Sequence, residues 1–200
     1  MSLTDKFIKR LFDLSISIVA LSIFFLPSLL ISVLIKLESR GPVFFNQVRV
    51  GKDGKDFLMY KFRTMVEGAE HKGKGLEIEK NDPRITHVGN LLRMTSLDEF
   101  PQFINILKGE MSFIGPRPTV RSQVEKYTGR QMRRLEVKPG ITGLAQVSGR
   151  NALTWPERIE KDIEYIDNYS LWLDMKIFFR TFSVVLFPKD IYGKDGNKGF

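Results

Sequence analysis

The chain has 200 residues, a formal net charge of +8, a pI near 9.7 and no cysteine. This length suits one domain with an appendage, and the charge predicts an anionic partner such as a membrane surface, a phosphorylated substrate or nucleic acid. The lack of cysteine excludes a disulfide framework and thiol catalysis. His71 and His87 have no partners at ligand spacing, so the sequence does not predict a zinc site.

Residues 14–35, LSISIVALSIFFLPSLLISVLI, carry no charge and are numerous enough to cross a hydrocarbon core of about 30 Å. We therefore predict a membrane segment. A cleaved signal peptide fits less well, because the apolar run is too long and no small-x-small cleavage site follows it. A buried core helix also fits less well, because so small a domain seldom hides an uncharged run of this length.

Pro27 is predicted to break this segment, because proline lacks the N–H that would bond the carbonyl of Ile23. Ser22 or Ser28 is available to bond the freed backbone groups. Neither leg would then cross the bilayer alone, and basic residues flank both ends, which favours the cytoplasmic side. Residues 1–40 are therefore predicted to form a re-entrant helix–break–helix with both chain termini in the cytosol, in preference to a tilted, kinked span.

Residues 41–200 are predicted to form a small, mostly helical cytosolic domain with a short β-hairpin, so the fold class is α+β. The two strands of the hairpin flank a turn at residues 51–54. The charged, Gly-rich residues 67–83 suggest a mobile loop. Apolar spacing predicts helices over residues 91–97, 100–107, 120–135, 155–168 and 171–187. The last of these suits a helix lying partly in a membrane interface, with an ordinary core helix as the alternative.

The stretch SLDEFPQF, residues 96–103, places Asp98 and Glu99 side by side in a basic chain. In a capping box, Ser96 would be the N-cap and Glu99 would reach back to its N–H, and both carboxylates would be structural. Pro101 argues against this box, because proline prefers the first helical turn. If the helix begins at Pro101, the carboxylates lie at its positive end, where they could hold a divalent ion or attack phosphorus. The residues alone leave both interpretations open.

Several basic residues lie in turn-rich or Gly/Pro-rich contexts instead of along one helix face. Arginine matches phosphate oxygens with a planar fork of donors, so their convergence would make a diphosphate site. Two prolines fix the backbone around Arg117, and the glycines of PGITGLAQVSGR would let the backbone approach a ligand. The candidate substrate-binding residues are Lys61, Arg63, Arg84, Arg93, Pro116, Arg117, Pro118, Gln146 and Arg150.

Five motifs follow the apolar segment in order: GPVFFNQVRVG, YKFRTM, DPRITHVG, LLRMTSLDEFPQFINILKGEMSFIGPRP and VKPGITGLAQVSGRN. Together they resemble the bacterial monotopic phosphoglycosyl transferases, which initiate glycoconjugate assembly, including that of lipopolysaccharide, capsule and exopolysaccharide. The likeness runs from about Lys6 to Leu186 and is to the smallest members, which consist of the catalytic core alone. The helix break of the family is commonly Ser-Pro, whereas here Leu26 precedes Pro27.

This resemblance implies transfer of a phosphosugar from a UDP-sugar to a polyprenol phosphate such as undecaprenyl phosphate, with release of UMP. It implies a covalent phosphosugar intermediate on Asp98, and Mg²⁺ bound by Asp98, for which Mn²⁺ could substitute. Glu99 would orient the site or help to bind the metal. The enzyme would be located at the cytoplasmic face of the bacterial inner membrane, with the anionic phospholipid bilayer as a partner. The enzyme could also have downstream glycosyltransferases as partners, or form a homodimer with a second copy of the chain.

Two other function classes remain open. A nucleic-acid-binding protein would use the charge of +8, but it would not need the uncharged segment, and its arginines should form a stripe along one helix. We therefore expect no nucleic acid partner. A membrane-anchored scaffold with a degenerate site would share the anchor, and release of UMP from a UDP-sugar would separate it from the enzyme.

Overall fold

The computed structural model describes residues 2–69, 82–149 and 152–186. Most of the predicted loop at 67–83 lies outside the described residues. The fold is α+β and mostly helical, as predicted. The helices are α1 Leu3–Ile23, α2 Phe25–Glu38, α3 His87–Thr95, α4 Gln102–Lys108, α5 Arg121–Val124, α6 Leu144–Ser148, α7 Trp155–Asp167 and α8 Leu171–Leu186. The strands are β1 Phe44–Val50, β2 Asp56–Phe62, β3 Ser112–Ile114 and β4 Gly140–Thr142.

The predicted hairpin is confirmed: β1 and β2 pair antiparallel around a 3-10 turn, Lys52–Gly54. Gly54 supplies the left-handed conformation that this tight turn needs, with φ 72°. The register places Phe45 opposite Lys61 and Arg49 opposite Phe57. Because side chains alternate along a strand, Lys61 and Arg49 lie on the same face of the hairpin.

Four of the predicted helices are confirmed as α3, α4, α7 and α8, and Gly109 ends α4 in the left-handed conformation. The continuous helix predicted over residues 120–135 is wrong, because α5 ends at Val124 and a separate 3-10 turn covers Gln131–Glu136. Gly129 between them disfavours a continuous helix. Arg134 also turns inward, where its Nη2 lies 2.7 Å from the Asp162 carboxylate of α7.

A short parallel sheet that the sequence did not predict joins β3 to β4. Here two backbone segments approach too closely for side chains. A Cβ on Gly140 would lie 2.2 Å from the amide nitrogen of Gly115, and one on Gly143 would lie 2.2 Å from the carbonyl oxygen of Gly115. These two glycines therefore serve backbone packing instead of the predicted ligand approach. Because Gly115 directly precedes Pro116, this close backbone contact fixes the point at which the Pro116–Pro118 loop leaves the β3–β4 sheet.

The helices α1 and α2 are bent by 60° at Phe24, three residues before the predicted break at Pro27. Pro27 lies in the first turn of α2, where its missing N–H costs no helical hydrogen bond. Ser28 donates its backbone N–H to the carbonyl of Phe24 at 2.9 Å. Among the described residues, no single helix is long and apolar enough to cross a membrane, whereas this bent pair meets both conditions together.

The helix α1 is docked on the rest of the chain by polar contacts as well as by apolar packing. The Arg10 guanidinium donates to the carbonyls of Ile106 at 2.6 Å and Leu107 at 2.9 Å, at the end of α4. The buried Asp13 carboxylate accepts the backbone N–H of Phe113 at 2.9 Å. Apolar residues of α1, α4, β3, α7 and α8 form one cluster, so the N-terminal segment shares the core of the fold.

The helix α8 packs on the core, as one of its two interpretations predicts, and its place in a membrane interface stays a prediction. On one face, Ile177 is buried, and the Asp174 carboxylate accepts a hydrogen bond from Lys9 Nζ at 2.7 Å. Elsewhere on the helix, Trp172 is 68% exposed and Phe179 is 64% exposed. The helix therefore packs on the core and also presents apolar side chains at the surface.

Candidate active site

Asp98 and Glu99 lie in a 3-10 turn, Leu97–Glu99, between α3 and α4. Ser96 ends α3 in the left-handed conformation with φ 60°, and Pro101 immediately precedes α4. The capping box is wrong, because Ser96 makes no side-chain capping bond and the Glu99 carboxylate has other partners. The start of the helix beside Pro101 agrees with the alternative interpretation.

Glu99 is held by two basic residues that the sequence had singled out. Its carboxylate accepts hydrogen bonds from Lys61 Nζ at 2.8 Å and from Arg117 Nη2 at 2.5 Å. Burial alone would raise the pKa of Glu99, but the positive charges of Arg117 and Lys61 outweigh it and hold this pKa well below its usual range. Glu99 therefore remains ionised and fixes the position of both cations.

Asp98 has a different environment, although it is the adjacent residue. No described residue donates a hydrogen bond to its carboxylate. Burial raises the pKa of Asp98 and the Glu99 charge adds to this effect, while Lys61, Arg93 and Arg117 lower it in part. A carboxylate with a raised pKa is a stronger nucleophile than an ordinary one. The dyad thus consists of one carboxylate that organises cations and one that can react.

Arg117 stands between two buried prolines and is itself half-exposed. Arg134 Nη2 donates to the carbonyl of Arg117 at 3.1 Å, and Arg49 Nη1 donates to the carbonyl of Pro118 at 3.4 Å. The ion pair with Glu99 raises the pKa of Arg117. The Pro116–Pro118 loop is therefore fixed by its prolines and by hydrogen bonds to its backbone.

Arg93 also belongs to the cluster around the dyad. It projects from α3, its Nε donates to Thr64 Oγ1 at 2.8 Å, and its charge lowers the pKa of Asp98. Of the predicted substrate-binding residues, the structure thus brings Lys61, Arg93 and Arg117 together around the dyad.

Arg63 and Arg84 are engaged elsewhere. The buried Arg63 guanidinium donates to the carbonyl of Ser39 at 2.8 Å and so binds the C-terminal end of α2. The buried Arg84 guanidinium pairs with Asp82 at 2.7 Å and donates to the carbonyl of Ala69 at 2.8 Å. The geometry gives both arginines a role in holding the backbone, in place of the substrate contact predicted from the sequence.

Gln146 lies in α6, and both polar atoms of its side chain are buried without a hydrogen-bond partner among the described residues. Its role in substrate binding stays a prediction. Arg150 lies outside the described residues, so its predicted role also stays a prediction.

Two residues that the sequence reasoning missed, Arg49 and Gln102, line a cleft beside Glu99. The walls of this cleft are formed by Arg49, Met59, Lys61, Gln102, Arg117 and Pro118. Burial, together with the charge of Arg117, lowers the pKa of Arg49 to about 10. The two-residue period of the hairpin could have placed Arg49 beside Lys61. Gln102 belongs to SLDEFPQF, but a neutral amide gives no charge signal.

The described residues contain no group of three or more His, Cys, Asp or Glu side chains that could hold a metal ion. Mg²⁺ usually keeps several waters and binds through one or two carboxylates together with substrate phosphates. The Asp98 carboxylate, to which no described residue donates a hydrogen bond, fits that mode of binding. The site therefore suits a Mg²⁺ ion shared with a diphosphate and not a protein-only cage.

A carboxylate to which no described residue donates a hydrogen bond, beside an ordered lysine and arginine, is an arrangement that suits a phosphate-containing ligand. The chain belongs to the bacterial sugar transferase family, whose model matches residues 4–188. The resemblance to the initiating phosphoglycosyl transferases and the prediction of a transferase enzyme are thereby confirmed.

Three relatives show how this similarity is distributed. The uncharacterized sugar transferase EpsL of Bacillus subtilis is 45% identical over 92% of this chain and 90% of its own length. The UDP-N-acetylgalactosamine-undecaprenyl-phosphate N-acetylgalactosaminephosphotransferase of Aeromonas hydrophila is 45% identical over 90% of this chain and 44% of its own. The UDP-glucose:undecaprenyl-phosphate glucose-1-phosphate transferase of Klebsiella pneumoniae is 46% identical over 86% of this chain and 39% of its own length. The chain thus spans less than half of the latter two proteins.

Proposed function

We propose that this protein transfers a sugar 1-phosphate from a UDP-sugar to a polyprenol phosphate such as undecaprenyl phosphate. The observation that carries this proposal is the contrast within the dyad: Glu99 is bound by Lys61 and Arg117, whereas no described residue donates a hydrogen bond to Asp98. The names of the Aeromonas and Klebsiella relatives describe reactions of this type for those proteins, which supports the same reaction class here.

In the first step, an Asp98 oxygen attacks the phosphorus that carries the sugar. A bond forms between the carboxylate and this phosphorus, the bridging P–O bond breaks, and UMP leaves with the electron pair. In the second step, a phosphate oxygen of the polyprenol phosphate attacks the same phosphorus and the Asp98 carboxylate is released. The product is a polyprenyl-diphosphate-linked sugar, and the covalent route lets a soluble donor and a lipid acceptor use one site in turn.

The basic residues around the dyad lower the electrostatic cost of bringing a carboxylate to a diphosphate. Lys61 and Arg117 are already ordered by Glu99, so they need little reorganisation when the phosphates bind. Glu99 acts as a positioning residue for these two cations. Bound Mg²⁺, held by Asp98 and the substrate phosphates, would supply further neutralisation of the diphosphate charge.

We further propose that α1 and α2 enter one leaflet as a re-entrant hairpin at the cytoplasmic face of the inner membrane. Leu26 at 72% and Leu37 at 79% exposure, with Trp172 of α8, present apolar surface to the lipid. The net charge of +8 would attract anionic headgroups. Single cysteines at positions 2 and 40 should both resist an impermeant reagent added outside intact cells, and labelling of either one would exclude this topology.

Turnover of a donor panel tests the proposed reaction. The Aeromonas and Klebsiella relatives are named for different sugars at nearly equal identity, 45% and 46%, so identity alone does not select the donor. UDP-N-acetylgalactosamine and UDP-glucose should both be included, with polyprenol phosphate in nanodiscs. Release of UMP that yields the lipid-linked sugar supports the proposal. Absence of turnover with every donor would favour the scaffold with a degenerate site.

A further inference from the structure

The cleft beside Glu99 is lined by two polar side chains whose hydrogen-bonding capacity the described part of the fold does not use in full. Gln102 is 2% exposed and forms no side-chain hydrogen bond with any described residue. Nε of Arg49 is buried and also has no partner among those residues. Native structures seldom leave buried polar groups unpaired. Because both residues line the same cleft, one ligand could satisfy both.

The charges around the cleft indicate that this ligand is an anion. Arg49, Lys61 and Arg117 all line it, and the Glu99 carboxylate pairs with the last two. The other hydrogen bonds of Arg49 go to neutral oxygens, the side-chain oxygen of Gln47 at 2.5 Å and the carbonyl of Pro118. The walls therefore keep an excess of positive charge and N–H donors, which is the chemistry that binds phosphate oxygens.

The size of the cleft points to a single phosphate group. The cleft is small and partly open to solvent, and six side chains from β1, β2, α4 and the Pro116–Pro118 loop line it. A complete nucleotide sugar would therefore extend beyond the cleft, with one of its phosphates inside.

We propose that this cleft is the subsite for the phosphate that is not transferred, and that Arg49 and Gln102 donate hydrogen bonds to it. The inference rests on the proposed function. Attack by Asp98 in line with the bridging bond expels UMP on the side opposite the carboxylate. The second displacement, at the same phosphorus, has Asp98 as the leaving group. The polyprenol phosphate must then attack from the position that UMP left, so one subsite serves both substrates.

Nucleotide binding to the detergent-solubilised protein tests this assignment without turnover. The affinities of UMP and uridine are measured by calorimetry for the wild type, Arg49→Gln and Gln102→Glu. Both variants should lose at least about tenfold in UMP affinity, the loss expected for one hydrogen bond to a charged group, while uridine affinity is unchanged. In turnover, the KM values for the UDP-sugar and for the polyprenol phosphate should both rise.

Two control variants make the same chemical changes away from the cleft. Arg121→Gln removes an exposed arginine that pairs with Asp56, and Gln131→Glu alters an amide whose oxygen accepts from the backbone N–H of Thr128. Both controls should bind UMP as the wild type does. If Arg121→Gln weakened UMP binding as much as Arg49→Gln, net charge would explain the effect and the subsite would be rejected.

Wild-type UMP affinity in folded Arg49→Gln and Gln102→Glu, or equal binding of UMP and uridine by the wild type, would overturn the proposal. A rise in only one of the two KM values would overturn the shared subsite. If Arg49→Gln fails to fold, Gln102→Glu decides, because it keeps the side-chain volume. Failure of the proposed reaction is a separate result: it would appear as a missing adduct on Asp98, with UMP binding unaffected.

Discussion

The ring of Phe24, at the bend between α1 and α2, packs against the ring of Phe100, with centroids 4.1 Å apart and planes inclined by 34°. Phe100 directly follows Glu99 in sequence, and its ring lies 5.0 Å from that of Phe103 on α4. The bend of the proposed membrane segment therefore contacts the turn that carries the dyad.

Phe24→Ala should lower turnover about two- to tenfold while membrane binding persists. The reason is that an aromatic pair is worth about 0.5–1.5 kcal/mol, and this pair helps to hold the turn that carries the dyad in place. Turnover in nanodiscs and flotation with vesicles measure the two properties. Phe25→Ala is the matched control, since Phe25 is the next residue and is 61% exposed. An equal loss in both variants would mean that general apolar surface, and not the Phe24–Phe100 contact, supports activity.

Arg63→Met should lower the free energy of unfolding by about 1.5–3 kcal/mol, because it removes charged hydrogen bonds to the end of α2. The KM for the UDP-sugar should stay within about twofold of wild type, since the guanidinium bonds backbone carbonyls away from the dyad. Arg117→Met should raise this KM strongly. Thermal unfolding and steady-state kinetics separate the two outcomes, and a large KM effect at Arg63 would restore the substrate-binding role predicted from the sequence.

Arg134 and Asp162 form a buried ion pair, with side chains 3% and 2% exposed. Arg134→Met should cost about 3–5 kcal/mol of stability, because it leaves the Asp162 carboxylate buried without its partner. The double variant Arg134→Met/Asp162→Leu should recover most of this loss. Turnover should not recover with it, because Arg134 also donates to the carbonyl of Arg117. Chemical denaturation and activity assays on all three proteins test this, and full recovery of both properties would remove Arg134 from the positioning of Arg117.

Chelation should abolish turnover, and Mg²⁺ or Mn²⁺ should restore it. Because the described residues offer no protein-only metal cage, Mn²⁺ should bind weakly to the free protein and at least about tenfold more tightly when UDP-sugar is present. Electron paramagnetic resonance of Mn²⁺ measures both states. Asp98→Asn should remove the nucleotide-dependent increase. Undiminished turnover after chelation and gel filtration would remove the metal from the mechanism.

Local sequence patterns predicted much of the fold. The turn at residues 51–54, the apolar spacing of α3, α4, α7 and α8, and the stop at Gly109 are signals carried by neighbouring residues. The β3–β4 pair was missed because two three-residue strands have no periodicity, and their pairing depends on the approach of Gly140 to Gly115. The bend was placed too late because proline is tolerated in a first helical turn, so Pro27 marks the start of α2.

Only some features of the candidate site were predicted from the sequence, and the physical reasons differ between its residues. Asp98 and Glu99 stood out because Pro101 limits where the next helix can begin. The separate environments of the two carboxylates depend on Lys61 and Arg117, which come from a strand and a loop far apart in sequence. Arg63 was misassigned because a guanidinium that binds backbone carbonyls has no local sequence mark that distinguishes it from one that binds phosphate.

The central claim is that Asp98 forms a covalent bond to the phosphosugar. Asp98→Asn should keep the fold, at a cost of at most about 1 kcal/mol, and lose several orders of magnitude in turnover, because an amide is a far weaker nucleophile. Glu99→Gln is the adjacent control: it should still form the adduct, more slowly, because the loss of the ion pairs disturbs Lys61 and Arg117.

Intact-protein mass spectrometry after mixing the wild type with UDP-sugar, without acceptor, tests this claim most directly. The account predicts a mass increase of one phosphosugar that maps to the peptide containing Asp98, disappears when polyprenol phosphate is added, and does not form in Asp98→Asn. An active, folded Asp98→Asn protein, or an adduct that maps to another residue, would contradict it.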